Sequence, residues 1–176
     1  MPKYEDLPHY LYEDYLTWEG RWELIEGIPF SMQPSPTFRH QQISQKIAWL
    51  LDVAMEHCDV CQAVLPVDWK VSENTVVQPD NSVICYEPEG SFLTKAPSMI
   101  FEVLSPSTAA KDRGIKHSIY EREGVKYYCL VDPENEVVKV FELVQGRLVK
   151  KVDVTKESVD FDLGVCEFTL DFSRIW

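Results

Sequence analysis

The stretch Met99-Ile100-Phe101-Glu102-Val103-Leu104 decides the fold class, because it has the pattern of a buried strand that carries one carboxylate in its middle. Side chains alternate across a sheet, so Glu102 shares its face with Ile100 and Leu104. Both faces are otherwise apolar, which predicts a central strand. An ionised carboxylate in an apolar layer is costly unless it is paired, protonated or bound to a metal. We therefore expect Glu102 to have a compensating partner.

Two further residues could supply that compensation. Asp80, in Pro79-Asp80, stands at the mouth of a neighbouring strand, and Lys116 follows on the helix after Glu102. Two acids on adjacent strands with a lysine nearby suit a metal-dependent phosphodiesterase, since Mg²⁺ and Mn²⁺ take oxygen ligands. Glu26, in an earlier hairpin, is a third candidate acid if it faces inward. The sequence thus predicts Asp80, Glu102 and Glu26 as ligands of Mg²⁺ or Mn²⁺.

The hydrophobic pattern along the chain predicts an α/β fold. A short helix over residues 9–18 and a hairpin over 21–32 precede a long helix that opens at Ser35-Pro36, since serine caps helices and proline fits their first turn. A further helix is predicted over residues 108–123. Strands are predicted over residues 62–71, 82–86, 98–104, 126–131, 137–143 and 147–154.

Length and composition bound the class of protein. With 176 residues, of which 45% are hydrophobic and 12% aromatic, the chain can form one domain over residues 1–176 with a substantial core. No stretch approaches the roughly 18 to 20 apolar residues of a membrane span. Residues 1–6 lack the apolar segment of a secretory signal. We therefore expect a cytoplasmic protein without a membrane-spanning segment.

The net charge of −12 opposes tight binding to nucleic acid, because such proteins usually present a basic face to the phosphates. A local basic rim around the candidate site would soften this objection. The residues that could form it are Lys111, Arg113, Lys116, Arg122 and Lys126. We therefore expect weak, non-specific affinity for DNA.

The five cysteines are an odd number, which suits reduced thiols better than a disulfide framework. Cys58-Asp59-Val60-Cys61 has the spacing of a metal-binding pair. No second Cys-x-x-Cys pair exists to complete a tetrahedral zinc site, so we interpret this motif as incidental.

Several short motifs follow one another in a specific order. They are Arg21-Trp22-Glu23-Leu24-Ile25-Glu26-Gly27, His40, Pro79-Asp80, Phe101-Glu102-Val103-Leu104-Ser105-Pro106-Ser107-Thr108, Asp112, Lys116, Tyr120, Gly124-Val125, Tyr127-Tyr128 and Val131-Asp132-Pro133. Together they resemble the Uma-type family of putative restriction endonucleases, within the PD-(D/E)xK nuclease superfamily. The resemblance spans residues 21–143. It implies a restriction-endonuclease-like mixed β-sheet flanked by helices, here with an N-terminal helix and hairpin, and cleavage of DNA at a divalent metal held by acids.

One position departs from the superfamily pattern. The usual lysine lies two residues after the second acid, where this chain has Leu104. Lys116 is the best substitute, because the resembling family also carries lysine there, and its charge could stabilise the transition state. Tyr120, one helical turn later, is a candidate for supporting Lys116. His40 is a candidate for positioning a metal-bound water or the scissile phosphate.

The sequence therefore predicts a metal-dependent DNA endonuclease that hydrolyses phosphodiester bonds with a Mg²⁺- or Mn²⁺-activated water. Two alternatives stay open: a catalytically silent nuclease-fold module that acts through protein contacts, and hydrolysis of RNA or a small phosphoester. Glu102 could also be a structural ion-pair partner of Lys116 or Arg113. Because enzymes that cut both strands commonly present two sites related by a twofold axis, we expect a homodimer.

Overall fold

The structure, a computed structural model, describes residues 7–176. Its contacts divide the chain into two compact units. Residues 7–35, Val67–Gln78 and Pro88–Lys95 form the first unit. Pro36–Pro66, Pro79–Glu87 and Ala96–Trp176 form the second. That the two units behave as one domain over residues 1–176 stays a prediction.

Twelve strands and four α-helical segments are assigned in the described residues. The strands are β1 Trp22–Ile25, β2 Ile28–Ser31, β3 Gln62–Val64, β4 Trp69–Ser72, β5 Thr75–Val77, β6 Asn81–Ile84, β7 Met99–Val103, β8 Tyr127–Asp132, β9 Val137–Val144, β10 Arg147–Val154, β11 Ser158–Asp162 and β12 Glu167–Asp171. The helices are α1 Tyr12–Tyr15, α2 Phe38–Ala54, α3 Ala109–Lys111 and α4 His117–Arg122. A π-helical turn, Asp112–Lys116, joins α3 to α4, and a 3₁₀ helix spans Phe172–Arg174.

The first unit is built on an antiparallel sheet in the order β2-β1-β5-β4. Its β1–β2 hairpin turns at Glu26 and Gly27, whose φ angles are 51° and 82°. A Cβ on Gly27 would lie 2.8 Å from His9 Nδ1, so the turn needs glycine both for its backbone conformation and for space.

The second unit is built on a six-stranded sheet in the order β10-β9-β8-β7-β6-β3. Only β7 and β8 pair in parallel within it, and the α3–α4 segment connects them. The main hydrophobic core joins α2 and the β11–β12 hairpin to one face of this sheet through residues such as Ile47, Phe101 and Phe161. Glu102 follows Phe101 in the strand, so its side chain lies on the opposite face.

The structure confirms the predicted fold class, a mixed sheet flanked by helices with an N-terminal helix and hairpin. The long helix begins at Phe38, after the N-cap Thr37, rather than at Ser35-Pro36. The predicted strand over 62–71 is wrong as one element, because β3 and β4 belong to different sheets. Three strands were not predicted, namely β5, β11 and β12.

Two further expectations from the sequence concern a membrane-spanning helix and a secretory signal. Across residues 7–176, no helix has the length and apolar character needed to cross a membrane. The absence of a secretory signal was inferred from residues 1–6, which lie outside the described residues.

The cysteines differ from expectation. The structure joins Cys58 to Cys166 and Cys61 to Cys85, and leaves Cys129 free and buried. The expectation of separate reduced thiols is therefore not what the structure has, because elements distant in sequence bring four cysteines together.

Candidate functional site

Glu102 lies in the middle of a wholly buried strand, with β6 on one side of β7 and β8 on the other. Its residue is 2% exposed. Glu102 Oε1 accepts a hydrogen bond from Lys116 Nζ at 2.8 Å and another from the Tyr120 hydroxyl at 2.6 Å. The structure thus provides the compensating cation that the sequence predicted, and it brings Glu102, Lys116 and Tyr120 together.

The π-helical turn explains how Lys116 and Tyr120 reach the same carboxylate. Two residues that lie four positions apart in an α-helix are separated by slightly more than one full turn, because one turn takes 3.6 residues. In a π-turn, which is wider, the same four positions make slightly less than one full turn. Lys116 ends the π-turn and Tyr120 lies on α4. The two angular offsets about the helix axis therefore largely cancel between Asp112 and Tyr120. All three residues are consequently buried on one face of the segment.

Asp112, which the sequence analysis named in the motif order without a role in the site, lies beside Lys116. It is 2% exposed, and its Oδ1 lies 3.7 Å from Lys116 Nζ. The Tyr128 hydroxyl donates to its backbone carbonyl at 2.8 Å, which ties the π-turn to β8. Lys116 therefore lies between two buried carboxylates. The four-residue spacing of Asp112 and Lys116 was the available sequence signal.

Asp80 lies immediately before β6. It lies one residue before Asn81, which pairs with Phe101 at the end of the β6–β7 ladder. Asp80 Oδ2 accepts from the Val103 backbone N–H at 2.8 Å and lies 3.1 Å from His40 Nε2. Its side chain is 20% exposed, whereas that of Glu102 is 3% exposed. The acidic site therefore opens toward solvent at the Asp80 end.

His40 lies in the first turn of α2, where its backbone N–H donates to the N-cap Thr37. Burial lowers the pKa of His40, but the hydrogen bond to Asp80 and the charges of Asp80 and Asp112 outweigh it. The pKa of His40 is consequently raised above its ordinary value of 6.5. The imidazole can therefore carry positive charge beside Asp80 over a wider pH range.

Tyr128 contributes a neutral donor. Burial, followed by the negative charge of Glu102, raises the pKa of Tyr128 well above 10.0. Its ring meets that of Tyr120 edge to face, with centroids 4.9 Å apart. The phenol that supports Asp112 therefore stays protonated at physiological pH.

The expectation that Glu26 faces inward is wrong. The turn at Glu26-Gly27 ends the alternation of β1 and leaves Glu26 exposed, with its backbone N–H donating to Thr75 Oγ1 at 3.1 Å. The buried acid of this hairpin is Glu23, which is 0% exposed and accepts from the Gln78 backbone N–H at 2.9 Å. Strand phase chose the wrong acid because it extended the strand into the turn.

The donor chemistry of the site fits a hard divalent cation. Asp80 accepts from the backbone N–H of Val103, the residue that follows Glu102, so an ion with its waters could join the two carboxylates. Asp80 and Glu102 would supply carboxylate oxygens, the donors that Mg²⁺ and Mn²⁺ prefer. Lys116 and His40 neutralise part of the acidic charge and would remain beside the ion.

The comparisons with solved structures concern the fold. A crystal structure of a putative nuclease belonging to DUF820 from Anabaena variabilis has the same fold, with a TM-score of 0.77 and 19% identity over 93% of this chain and 95% of that chain. A cryo-electron microscopy structure of a DrdV–DNA complex matches with a TM-score of only 0.33 and 13% identity, over 70% of this chain and 13% of that chain. No curated protein gives a significant match.

The family comparison covers most of the chain. The Uma2 family, described as putative restriction endonuclease, matches residues 12–173. That range includes Asp80, Glu102 and Lys116, together with the elements that carry them. The chain therefore belongs to the Uma2 family of restriction-endonuclease-like proteins.

Proposed function

We propose that this protein is a DNA endonuclease that hydrolyses phosphodiester bonds with a water activated by Mg²⁺ or Mn²⁺. The observation that carries the proposal is that two predicted acids meet β7 at neighbouring residues: Glu102 pairs with Lys116, and the partly exposed Asp80 accepts from the Val103 N–H. Membership of the Uma2 family and the nuclease fold support it.

In this proposal Asp80 and Glu102 hold the ion. A bound Mg²⁺ or Mn²⁺ supplies a nucleophilic water of lowered pKa and polarises a phosphoryl oxygen. The Val103 backbone N–H and His40 fix the carboxylate of Asp80, so its orientation is set before substrate binds. Glu26 is excluded from our ligand set because its side chain is exposed on the hairpin turn.

Lys116 stabilises the charge that develops on the phosphoryl oxygens during attack. Its Nζ lies 2.8 Å from Glu102, so the π-turn delivers from a helix the cation that Leu104 cannot supply from the strand. Tyr120 positions Glu102 by donating a hydrogen bond to its carboxylate. Asp112 positions Lys116 as a second carboxylate, 3.7 Å from the Lys116 ammonium. His40 orients Asp80 and adds positive charge where a phosphate would approach.

The surface charge sets the expected strength of DNA binding. Three members of the predicted basic rim lie beside carboxylates: Arg113 at 3.8 Å from Asp132, Arg122 at 3.0 Å from Glu123, and Lys126 at 4.0 Å from Asp162. Lys116 is buried against Glu102. The rim is therefore largely neutralised, and we propose weak, strongly salt-dependent affinity for DNA.

The second candidate is a catalytically silent nuclease-fold module. The buried Lys116–Glu102 ion pair favours it, because the same contact would serve a purely structural network. RNA or a small phosphoester is a further substrate alternative on the same site.

A plasmid-nicking assay tests the proposal. Wild-type protein should convert supercoiled DNA to nicked or linear forms with Mg²⁺ or Mn²⁺, and EDTA should stop it. Asp80→Asn and Glu102→Gln should lower the rate by about 100-fold or more, because even indirect partners of a metal site contribute 10–100-fold. Glu134→Gln removes an exposed carboxylate from a turn and serves as the matched control.

Wild-type protein that binds the metal but cuts neither DNA nor RNA would contradict the nuclease proposal. The silent-module alternative would then stand. Cleavage of RNA alone would keep the chemistry and change the substrate.

A further inference from the structure

Four of the five cysteines meet in the second compact unit, and the proposed nuclease site does not use them. Cys58 and Cys61 flank a tight turn after α2, Cys85 follows β6, and Cys166 closes the loop between β11 and β12. The Sγ atoms of Cys58, Cys61 and Cys166 all lie within 4.8 Å of one another. Cys85 is bonded to Cys61, so its sulfur belongs to the same cluster.

The fold builds this cluster from separate elements. The pairing of Gln62 with Ile84 continues by one step to place Cys61 opposite Cys85. The β11–β12 loop is closed by a hydrogen bond from the Leu163 N–H to the Cys166 carbonyl at 2.8 Å, which fixes the cysteine at the hairpin tip. Sequence spacing alone could not reveal the cluster, because Cys85 and Cys166 lie far along the chain from Cys58-x-x-Cys61.

We propose that in the reduced protein Cys58, Cys61, Cys85 and Cys166 bind one Zn²⁺ as a structural tetrathiolate site. Four thiols lose four protons on binding, and no electron is transferred. The earlier interpretation of Cys58-x-x-Cys61 as incidental is therefore replaced, because the fold supplies the missing pair of ligands.

The geometry and burial of the sulfurs suit this ion. With Zn–S bonds of about 2.3 Å, sulfurs at the corners of a tetrahedron are about 3.8 Å apart, within the span of the observed cluster. Cys61 is buried, and the other three cysteines are half-buried. Four protein sulfurs leave no open position for a substrate, which is typical of a structural zinc site.

The zinc site would tie the C-terminal hairpin to the rest of its unit. β11 and β12 cover the core through Phe161, Phe168 and Leu170. The sulfurs of the hairpin tip, the turn after α2 and the end of β6 would be held by one ion. Two disulfides and one zinc tetrathiolate use the same atoms, so the two states exclude each other.

Metal analysis of the full chain tests this. Protein is reduced with a phosphine, supplied with Zn²⁺, freed of excess metal and measured for zinc by mass spectrometry. We expect about one zinc per chain, and Co²⁺ in its place should give thiolate-to-cobalt charge-transfer absorption with intense visible bands of tetrahedral coordination. Cys85→Ser and Cys166→Ser should lose this zinc and these bands.

The controls separate this site from the carboxylate site. Cys129→Ala, which changes the remaining cysteine, should retain the zinc, as should the double variant Asp80→Asn/Glu102→Gln. The inference does not depend on the proposed nuclease activity, and its failure would leave that proposal intact. A reduced wild-type protein with only traces of zinc, or a cobalt form without charge-transfer bands, would overturn it.

A second readout keeps the proposal falsifiable if the serine variants do not fold. Zinc should protect the cluster thiols of wild-type protein from alkylation under reducing conditions, and a chelator should expose four of them. Equal alkylation with and without zinc would overturn the proposal.

Discussion

At the scale of single residues, the central contact is the ion pair between Glu102 and Lys116. Both side chains are 3% exposed, and Lys116 also has Asp112 at 3.7 Å. Breaking a buried pair by removing one partner costs about 3–5 kcal/mol, whereas replacing both partners is often neutral. The second acid beside Lys116 should moderate the cost of losing Glu102.

These contacts predict a non-additive pair of substitutions. In EDTA, Glu102→Gln and Lys116→Met should each lower the free energy of unfolding, by about 1–3 kcal/mol in the first case. The double variant should be at least as stable as the less stable single variant, since neither Glu102 nor Lys116 is then left charged beside a lost partner, although Asp112 loses its contact with Lys116. Urea unfolding of the four proteins measures this cycle. If the losses in free energy of unfolding of the two single variants simply add in the double variant, Glu102 and Lys116 are not coupled as described.

A second residue-scale prediction concerns His40. Its raised pKa depends on the hydrogen bond to Asp80 and on the charges of Asp80 and Asp112, and burial opposes them. We expect the His40 imidazole to titrate above about 6.5 in metal-free wild-type protein, and at lower pH in Asp80→Asn because burial then dominates. NMR titration of the imidazole protons measures both values. An unchanged pKa in Asp80→Asn would contradict the assignment.

The same shift fixes the sign of a stability effect. The folded-state pKa of His40 lies above the unfolded value, so its stabilisation is fully present below about pH 6.5 and is lost as pH rises through the folded pKa. The difference in free energy of unfolding between wild type and His40→Gln should therefore decline as pH rises through the folded-state pKa of His40.

At the scale of elements, the π-turn is the device that builds the site. It lets Asp112, Lys116 and Tyr120 share one face of a segment whose sequence pattern predicts an ordinary helix over 108–123. Hydrophobic periodicity could not reveal it, because one extra residue per turn is too short a disturbance to register.

The π-turn yields a matched pair of variants. A Cβ on Gly114 would meet no atom within 4 Å, and its φ is not positive. Gly114→Ala should therefore raise the free energy of unfolding by about 0.5–1 kcal/mol without loss of nicking activity. Deletion of Gly114 should convert the turn toward α-helix, rotate Asp112 away from Lys116, and abolish nicking. A deletion that keeps full activity would show that the π-turn is dispensable.

The missed strands have different physical reasons. β5 has three residues, too few for an alternating pattern, and is buried throughout. The β11 and β12 strands do alternate, with Val159 and Phe161 facing Phe168 and Leu170 inward, so their signal was present. The abundance of acids between these apolar residues concealed it.

At the scale of the whole molecule, the site residues were predictable chiefly through the ordered motifs. Lys116 and Tyr120 contact Glu102, and His40 contacts Asp80, which also accepts from the Val103 N–H. That these residues form one metal site stays a prediction. The prediction that Glu26 faces inward was wrong because the turn at Glu26-Gly27 ends the strand. The cysteine cluster could not be predicted, since it depends on β-strand register and on a hairpin that the pattern did not reveal.

Assembly is a prediction at this scale. Helix α2 exposes Phe38, Trp49 and Val53, and the eleven residue steps from Phe38 to Trp49 make about three turns, which places both on one side. We expect a homodimer with twice the 20.4 kDa mass of the chain, and Val53→Glu should weaken it if this surface is the interface. Light scattering at tens of micromolar measures the mass. A monomer there would leave nicking of single strands as the expected activity.

Calorimetric titration with Mn²⁺ is the most direct test of the central claim, that Asp80 and Glu102 form a divalent metal site. Wild type and Glu134→Gln should each bind one Mn²⁺, with the cysteines alkylated beforehand to remove any thiolate binding. Asp80→Asn keeps the Lys116–Glu102 pair and should lose this binding while its melting temperature in EDTA stays close to that of wild type. Absence of Mn²⁺ binding to wild type, or binding that Asp80→Asn does not weaken, would contradict the account.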